Sequence, residues 1–148
     1  MALGDLITAR QWSDEAVSTT MGAHRGTALR TRARVATAQG DPRQAERDLH
    51  EAIGIVARTK AYLGLPDALE CLAVVIADAG SHREAARLIG AADAIRQRMG
   101  HLRFKIHQAN YDTALATVRE ALGERDFHAA QAEGATNVWV GIAHLIRT

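Results

Sequence analysis

The sequence predicts an all-α protein, built as antiparallel helical hairpins stacked in an array and closed by C-terminal capping helices. Three observations carry that prediction. First, a Gly, an Ala five residues on and an Ala twelve on occur three times, as Gly4/Ala9/Ala16, Gly40/Ala45/Ala52 and Gly80/Ala85/Ala92. Second, the two prolines, Pro42 and Pro66, both stand where a helix can begin, a position at which the missing N–H costs nothing. Third, apolar residues recur at helical spacing, as in Ala45, Leu49, Ala52, Ile53 and Val56, and again in Ala85, Leu88, Ile89, Ala92 and Ile95.

Each repeat reads as helix, Gly-containing turn, helix. "HRGTALRTRARVATAQ" precedes Gly40 and "PDALECLAVVIADA" precedes Gly80. Gly4 to Gly40 spans 36 positions and Gly40 to Gly80 spans 40, a period suited to arrays of helical hairpins. Glycine at the turn permits a left-handed backbone. The alanines let the second helix lie close to the first and to the next hairpin, where larger side chains would overpack at about 1–3 kcal/mol each. Helix starts are marked by D-x-x-Q at Asp41/Gln44 and S-x-x-E at Ser81/Glu84, both readable as capping boxes. After Gly100, "HLRFKIHQANYD" reads as a connector, followed by a helix over about 110–122, a short one near 124–133 and a last segment from Thr136. The implied organisation is a repeat region over 1–100, turning near Gly4, Gly40 and Gly80, and a helical cap over 101–148.

The G-[DN]-x-x-x-A signature with a further Ala seven residues later resembles tetratricopeptide repeats, which implies a right-handed TPR-like array. Leu69, Leu72, Ala73 and Ile76 occupy the first-helix packing sites, and the aromatic pair usual in the first helix of that family is absent, replaced by Leu and Ala. A narrower resemblance covers most of the chain. "EAARLIGAADAIR" from Glu84, "ALG" at Ala121–Gly123 and the F-x-x-A-x-x-x-G pattern of Phe127, Ala130 and Gly134 are similar to the C-terminal helical region of bacterial, notably actinobacterial, LuxR-type transcriptional regulators with upstream P-loop ATPase or cyclase domains. That family continues with an acidic S-x-E-E-A helix, whereas this chain continues "ATNVWVGIAHLIRT". Neither the nucleotide-binding nor the DNA-binding domain of such regulators lies in these residues. The resemblance implies a non-enzymatic protein–protein interaction or signal-relay module. The alternative is a stand-alone TPR-like protein that binds a peptide or small effector in its groove.

Composition narrows the chemistry. Eighteen basic against 17 acidic residues give a net charge of +1, too even for a chain whose main task is phosphate neutralisation. A recognition helix with clustered base-reading residues is not found. The lone cysteine, Cys71, excludes an intrachain disulfide and fits a reducing compartment; with no long apolar run and no signal-type N-terminus, a cytoplasmic protein without membrane contact is expected. No phosphate-binding G-x-x-x-x-G-K-[ST] loop or G-x-G-x-x-G occurs, so no cofactor is expected. The seven histidines are scattered, without H-E-x-x-H, and His101 and His107 are misaligned for one helix face, so no metal is expected. Cys71, inside "CLAVVIA", reads as a packed side chain rather than a nucleophile, and no catalytic residue is assigned.

The repeat register places Thr27, Arg30, Arg34, Asp67, Glu70 and Val74 along an inner groove, where Arg30 and Arg34 can pair with Asp67 and Glu70 as readily as with a ligand. Glu46, Asp48 and Glu51 read as a solvated outer face. Trp12, Tyr62, Tyr111, Phe127 and Trp139 read as packing residues, with Tyr111, Leu115, Val118 and Leu122 forming a core-facing stripe. Because the chain opens on the second half of a unit, Leu6, Ala9, Trp12 and Val17 are expected to lack a partner helix. They would form an association face for another copy, giving a homodimer, or for other domains of a larger regulator.

Overall fold

The structure, a computed structural model, describes residues 3–100 and 102–147, and the side chains of 4–100 and 102–137. Among the described residues there are seven α-helices and no strand: α1 (Leu3–Thr19), α2 (Gly22–Ala38), α3 (Pro42–Thr59), α4 (Leu65–Asp78), α5 (His82–Met99), α6 (Lys105–Leu122) and α7 (Glu124–Arg147). A single 3-10 turn, Tyr62–Gly64, leads into α4. The all-α class is as the sequence predicts.

The turns at Gly40 and Gly80 are the same object. At each, the glycine takes a left-handed φ, 76° and 92° respectively. The Gly40 N–H donates to Thr37 O and the Asp41 N–H to Ala36 O; the Gly80 N–H donates to Ala77 O and the Ser81 N–H to Ile76 O. This is the Schellman arrangement, which satisfies carbonyls that the end of a helix leaves bare. Gly4, by contrast, lies inside the first turn of α1. The two helix starts also differ. The Asp41 carboxylate accepts the Gln44 N–H at 3.2 Å, but the Gln44 side chain turns to Asp48 instead of back to the cap. Ser81 makes no side-chain cap bond, and Glu84, its expected partner, is held by Arg87 at 3.0 Å.

Two compact units divide the chain, Met1–Cys71 and Leu72–Thr148, the division falling within α4. Unit 1 is organised on α2, which packs against both α3 and α1. Ala45, Leu49 and Ala52 are buried along α3, and Val17, Ala28, Leu29, Ala52 and Ile55 form one cluster. Here the sequence reading needs correction: α1 is not an unpartnered half-hairpin, because α2 covers Leu6 and Val17, both buried.

Unit 2 explains why α5 belongs with the C-terminal helices. Its cluster joins Ala73 and Ala77 of α4, Ala85, Ala86 and Ile89 of α5, Tyr111 and Val118 of α6, and Phe127 and Ala130 of α7, with Leu115 and Leu122 packed on it. The main contact of α5 is α7, and glycine sets it. A Cβ on Gly90 would collide with the Gln131 carbonyl, and one on Gly134 with the Arg87 carbonyl, so the two helices meet backbone to backbone. The F-x-x-A-x-x-x-G pattern is thus the α7 side of this crossing, with Phe127 and Ala130 buried beside Gly134. Since Gly134 is used for close approach, the helix does not break there: α7 runs continuously where the sequence suggested a short helix and a separate segment. The connector after Gly100 is likewise shorter than expected, because α6 already starts at Lys105. Trp139 lies outside the residues whose side chains are described.

Arg87 and Arg83 of α5 flank this crossing and hold Glu133 of α7, at 2.6 and 3.1 Å. The hydrogen bond from Arg87 foremost, with the charges of both arginines, lowers the Glu133 carboxyl below its ordinary range.

Two outcomes follow. Gly90→Ala and Gly134→Ala should each destabilise the protein by about 1–3 kcal/mol in chemical denaturation, because the obstructing atoms are backbone and cannot swing away; Gly54→Ala, on α3 facing only the end of an arginine side chain, serves as the near-neutral control. The lowered Glu133 pKa stabilises the fold fully above the unfolded value near 4.5 and ceases to do so as pH falls through the folded value. Wild type should therefore lose slightly more melting temperature than Glu133→Gln between about pH 5 and pH 3, the small size reflecting solvent exposure.

Candidate interaction surfaces

The groove residues of unit 1 come together and engage one another, leaving only Arg30 Nε among the described groove atoms buried without a hydrogen bond. Arg34 Nη2 donates to Asp67 Oδ1 at 2.6 Å, and Arg30 Nη1 donates to the Gly64 carbonyl at 2.7 Å. Arg30 Nε stands 3.8 Å from Asp67 Oδ2. Thr27 is drawn in as acceptor for Arg30 Nη2 at 3.3 Å. Glu70 is buried and engaged, adding to the negative field on Arg34. Val74, one turn further along α4, belongs to the second unit. Burial works against the Arg34 charge, but the negative groups around it outweigh burial and raise its pKa. Between these charges sits Cys71, whose thiol burial pushes up to about 11, against the opposing pull of Arg34. A thiol held protonated at neutral pH is not an activated nucleophile.

The strongest electrostatic feature was hidden from the sequence. Asp48 belongs not to a solvated face but to the interior, at 2% exposure. Arg32 of α2 grips it with both forks, Nε to Oδ2 at 2.8 Å and Nη2 to Oδ1 at 2.7 Å, while Gln44 Nε2 adds a bond of 2.8 Å. Arg32 Nη1 reaches on to Asp14 of α1 at 3.2 Å, and Arg10 links Asp14 to Gln39. Three helices are thereby tied by one chain of charge-assisted bonds, and the hydrogen bond to Asp48 foremost raises the Arg32 pKa. The signal available in sequence was the position of Asp48 within the apolar run of Ala45, Leu49 and Ala52, next to Leu49, with a bidentate-capable Arg on the preceding helix. Glu46 and Glu51 are exposed as expected.

The expected association face divides. Leu6 and Val17 are buried, Ala9 is half-buried, and Trp12 remains 71% exposed, so Trp12 is not a packing residue within its unit. Ile7 and Met21 are exposed near it in sequence. In unit 2, Leu102, Phe104 and Ile106 are exposed, while Arg103 between them turns inward, its Cζ 3.5 Å from the Tyr111 ring centroid and its Nη2 3.6 Å from Asp93. Single exposed apolar residues are common, whereas Leu102, Phe104 and Ile106 place three within five residues. No cluster of three metal-binding side chains occurs among the described residues, nor is any helix there long and apolar enough to cross a membrane.

Removing one member of the buried pair leaves an uncompensated charge. Asp48→Ala should cost about 3–5 kcal/mol by denaturant titration. The double substitution Arg32→Met with Asp48→Leu should recover most of that loss, because an apolar pair carries no desolvation penalty.

No protein-family model matches the chain, and no solved structure is detectably similar to it. Curated relatives do match. A protein of Mycobacterium bovis and proteins of two Mycobacterium tuberculosis strains, each named "Putative HTH-type transcriptional regulator", share 49% identity with it over 135 residues. The aligned stretch covers 91% of this chain but only 15% of each relative. The chain is therefore similar, over nearly its whole length, to a small segment of much larger proteins named as regulators of transcription.

Proposed function

We propose that this chain is a non-enzymatic protein–protein interaction and signal-relay module, equivalent to the tetratricopeptide-like helical region of a LuxR-type transcriptional regulator. The observation that carries the reading is the 49% identity over 91% of the chain to a segment amounting to 15% of regulator-named relatives. The fold supports it: the hairpin turns at Gly40 and Gly80 share one hydrogen-bond pattern, the mark of a repeated unit. So does the chemistry, since the conspicuous charged side chains are engaged with each other and the thiol is held neutral. The module works through surface, with other domains of a larger regulator or a second copy of itself as partner. It makes no direct contact with nucleic acid or membrane, acts in the cytoplasm and uses no cofactor.

A two-hybrid measurement of the chain against itself and against the remainder of the Mycobacterium tuberculosis regulator tests this. Association with at least one bait is expected, and Trp12→Glu should reduce it at least fivefold while leaving the melting temperature unchanged. Association with neither bait, or saturable DNA binding by the isolated chain at physiological salt, would defeat the reading.

A further inference from the structure

Unit 1 contains a cleft of about 220 Å3 between α2, the C-terminal half of α3 and the 61–68 segment. Its walls are apolar, formed chiefly by Gly26, Ala52, Ile55, Val56 and Ala68. Of the polar groups in the wall, the Thr59 hydroxyl is committed to Ile55 O at 2.8 Å, and Thr27 donates to Ala23 O at 3.3 Å while accepting from Arg30. Arg30 is the one charged side chain in the lining.

The state of that guanidinium is unusual. Its two hydrogen bonds go to neutral acceptors, the Gly64 carbonyl and the Thr27 hydroxyl. Its Nε is buried and makes no hydrogen bond; the nearest carboxylate oxygen, on Asp67, is 3.8 Å away, beyond hydrogen-bonding reach. Asp67 is committed instead to Arg34 at 2.6 Å. Nε therefore lies toward Asp67 and out of reach of the hollow, while each Nη keeps one N–H beyond the bond it gives to Gly64 or Thr27, and Arg30 lines the hollow. The guanidinium lies against the Gly64 backbone, where a Cβ would meet its Nη1 and Cζ.

We propose that this cleft binds a small monocarboxylate with a short apolar body. The carboxylate accepts from the Arg30 guanidinium, and the body fills the hollow against Ile55, Val56 and Ala68. A single cation with a fork of donors matches one carboxylate. A phosphate dianion would meet apolar walls and only one positive charge, and a sugar would find too few hydrogen-bonding groups. This goes beyond the reading of the chain as an interaction module and does not rest on it, because binding is measured on the chain alone.

The test is calorimetric titration of the 148-residue chain with sodium octanoate, octanol and inorganic phosphate. Octanoate should bind saturably, octanol at least tenfold more weakly, and phosphate not detectably. Arg30→Gln should weaken octanoate at least tenfold. Ala23→Phe, placed at an exposed position of the cleft wall, should abolish binding without lowering the melting temperature, which keeps the test decisive if Arg30→Gln proves unstable. Failure of octanoate to bind, equal binding of octanol, tighter binding of phosphate, or full binding by a folded Ala23→Phe would each overturn the proposal.

Discussion

Close approach of helices is the constraint on which both units depend. With only 4% aromatic residues, the chain cannot fill wide gaps between helices with large rings, so it narrows the gaps instead. At Gly90 and Gly134 the narrowing reaches backbone contact, and on α3 it is achieved by Ala45 and Ala52, both essentially without exposure. Packing at interior density then leaves little slack, and dispersion is gathered from many short contacts and not from a few bulky anchors. The bulky side chains that do exist are placed where the small ones converge: Phe127 beside Ala130, Leu29 and Leu49 in unit 1.

That geometry dictates the electrostatics. When helices lie this close, a charged side chain on a facing edge cannot reach water and must find its counter-charge across the gap. Arg32 and Asp48 meet in this way; Gln44 adds a further donor to the desolvated Asp48 carboxylate, and the remaining Arg32 donor reaches on to the exposed Asp14, which Arg10 also holds. Arg is the only side chain that could serve, as its planar fork satisfies both oxygens of Asp48 at once. Such a pair adds little net stability over an apolar one, yet it is intolerant of misregistration, so it fixes how α2 slides against α3.

Much of this was legible beforehand, and three of the differences share a physical cause. The turns at Gly40 and Gly80, the Asp41 cap and the apolar stripes follow from local spacing, which the sequence states directly, and the pairing of Arg34 with Asp67 from the repeat register. Asp48 reads as exposed because charge ordinarily marks exposure; only the partner helix, carrying Arg32, reveals that the position is buried. The supposedly bare face of α1 was misjudged because repeat register assigned α2 wholly to the following hairpin, while in space α2 serves α1 as well. The break expected at Gly134 arose from reading glycine as punctuation, when its role is to admit the α5 backbone. These three differences come from residues whose meaning is set by a neighbour distant in sequence, whereas the altered caps at Gln44 and Ser81 are set locally, by Asp48 and Arg87.

The same closeness makes Arg30 a sensitive point. It stands between the Gly64 carbonyl, which fixes the turn leading into α4, and Asp67, which lies in the first turn of α4. Asp67 in turn is divided between Arg30 and Arg34, nearer the second. An acceptor that engaged Arg30 from the cleft would add a second counter-charge beside the one that Asp67 offers at 3.8 Å. The energetic difference between the two arrangements sets the most by which occupancy of the cleft can bias the start of α4. The Asp67 carboxylate thus stands at the first turn of α4 between two arginines, one held closely and the other at a distance.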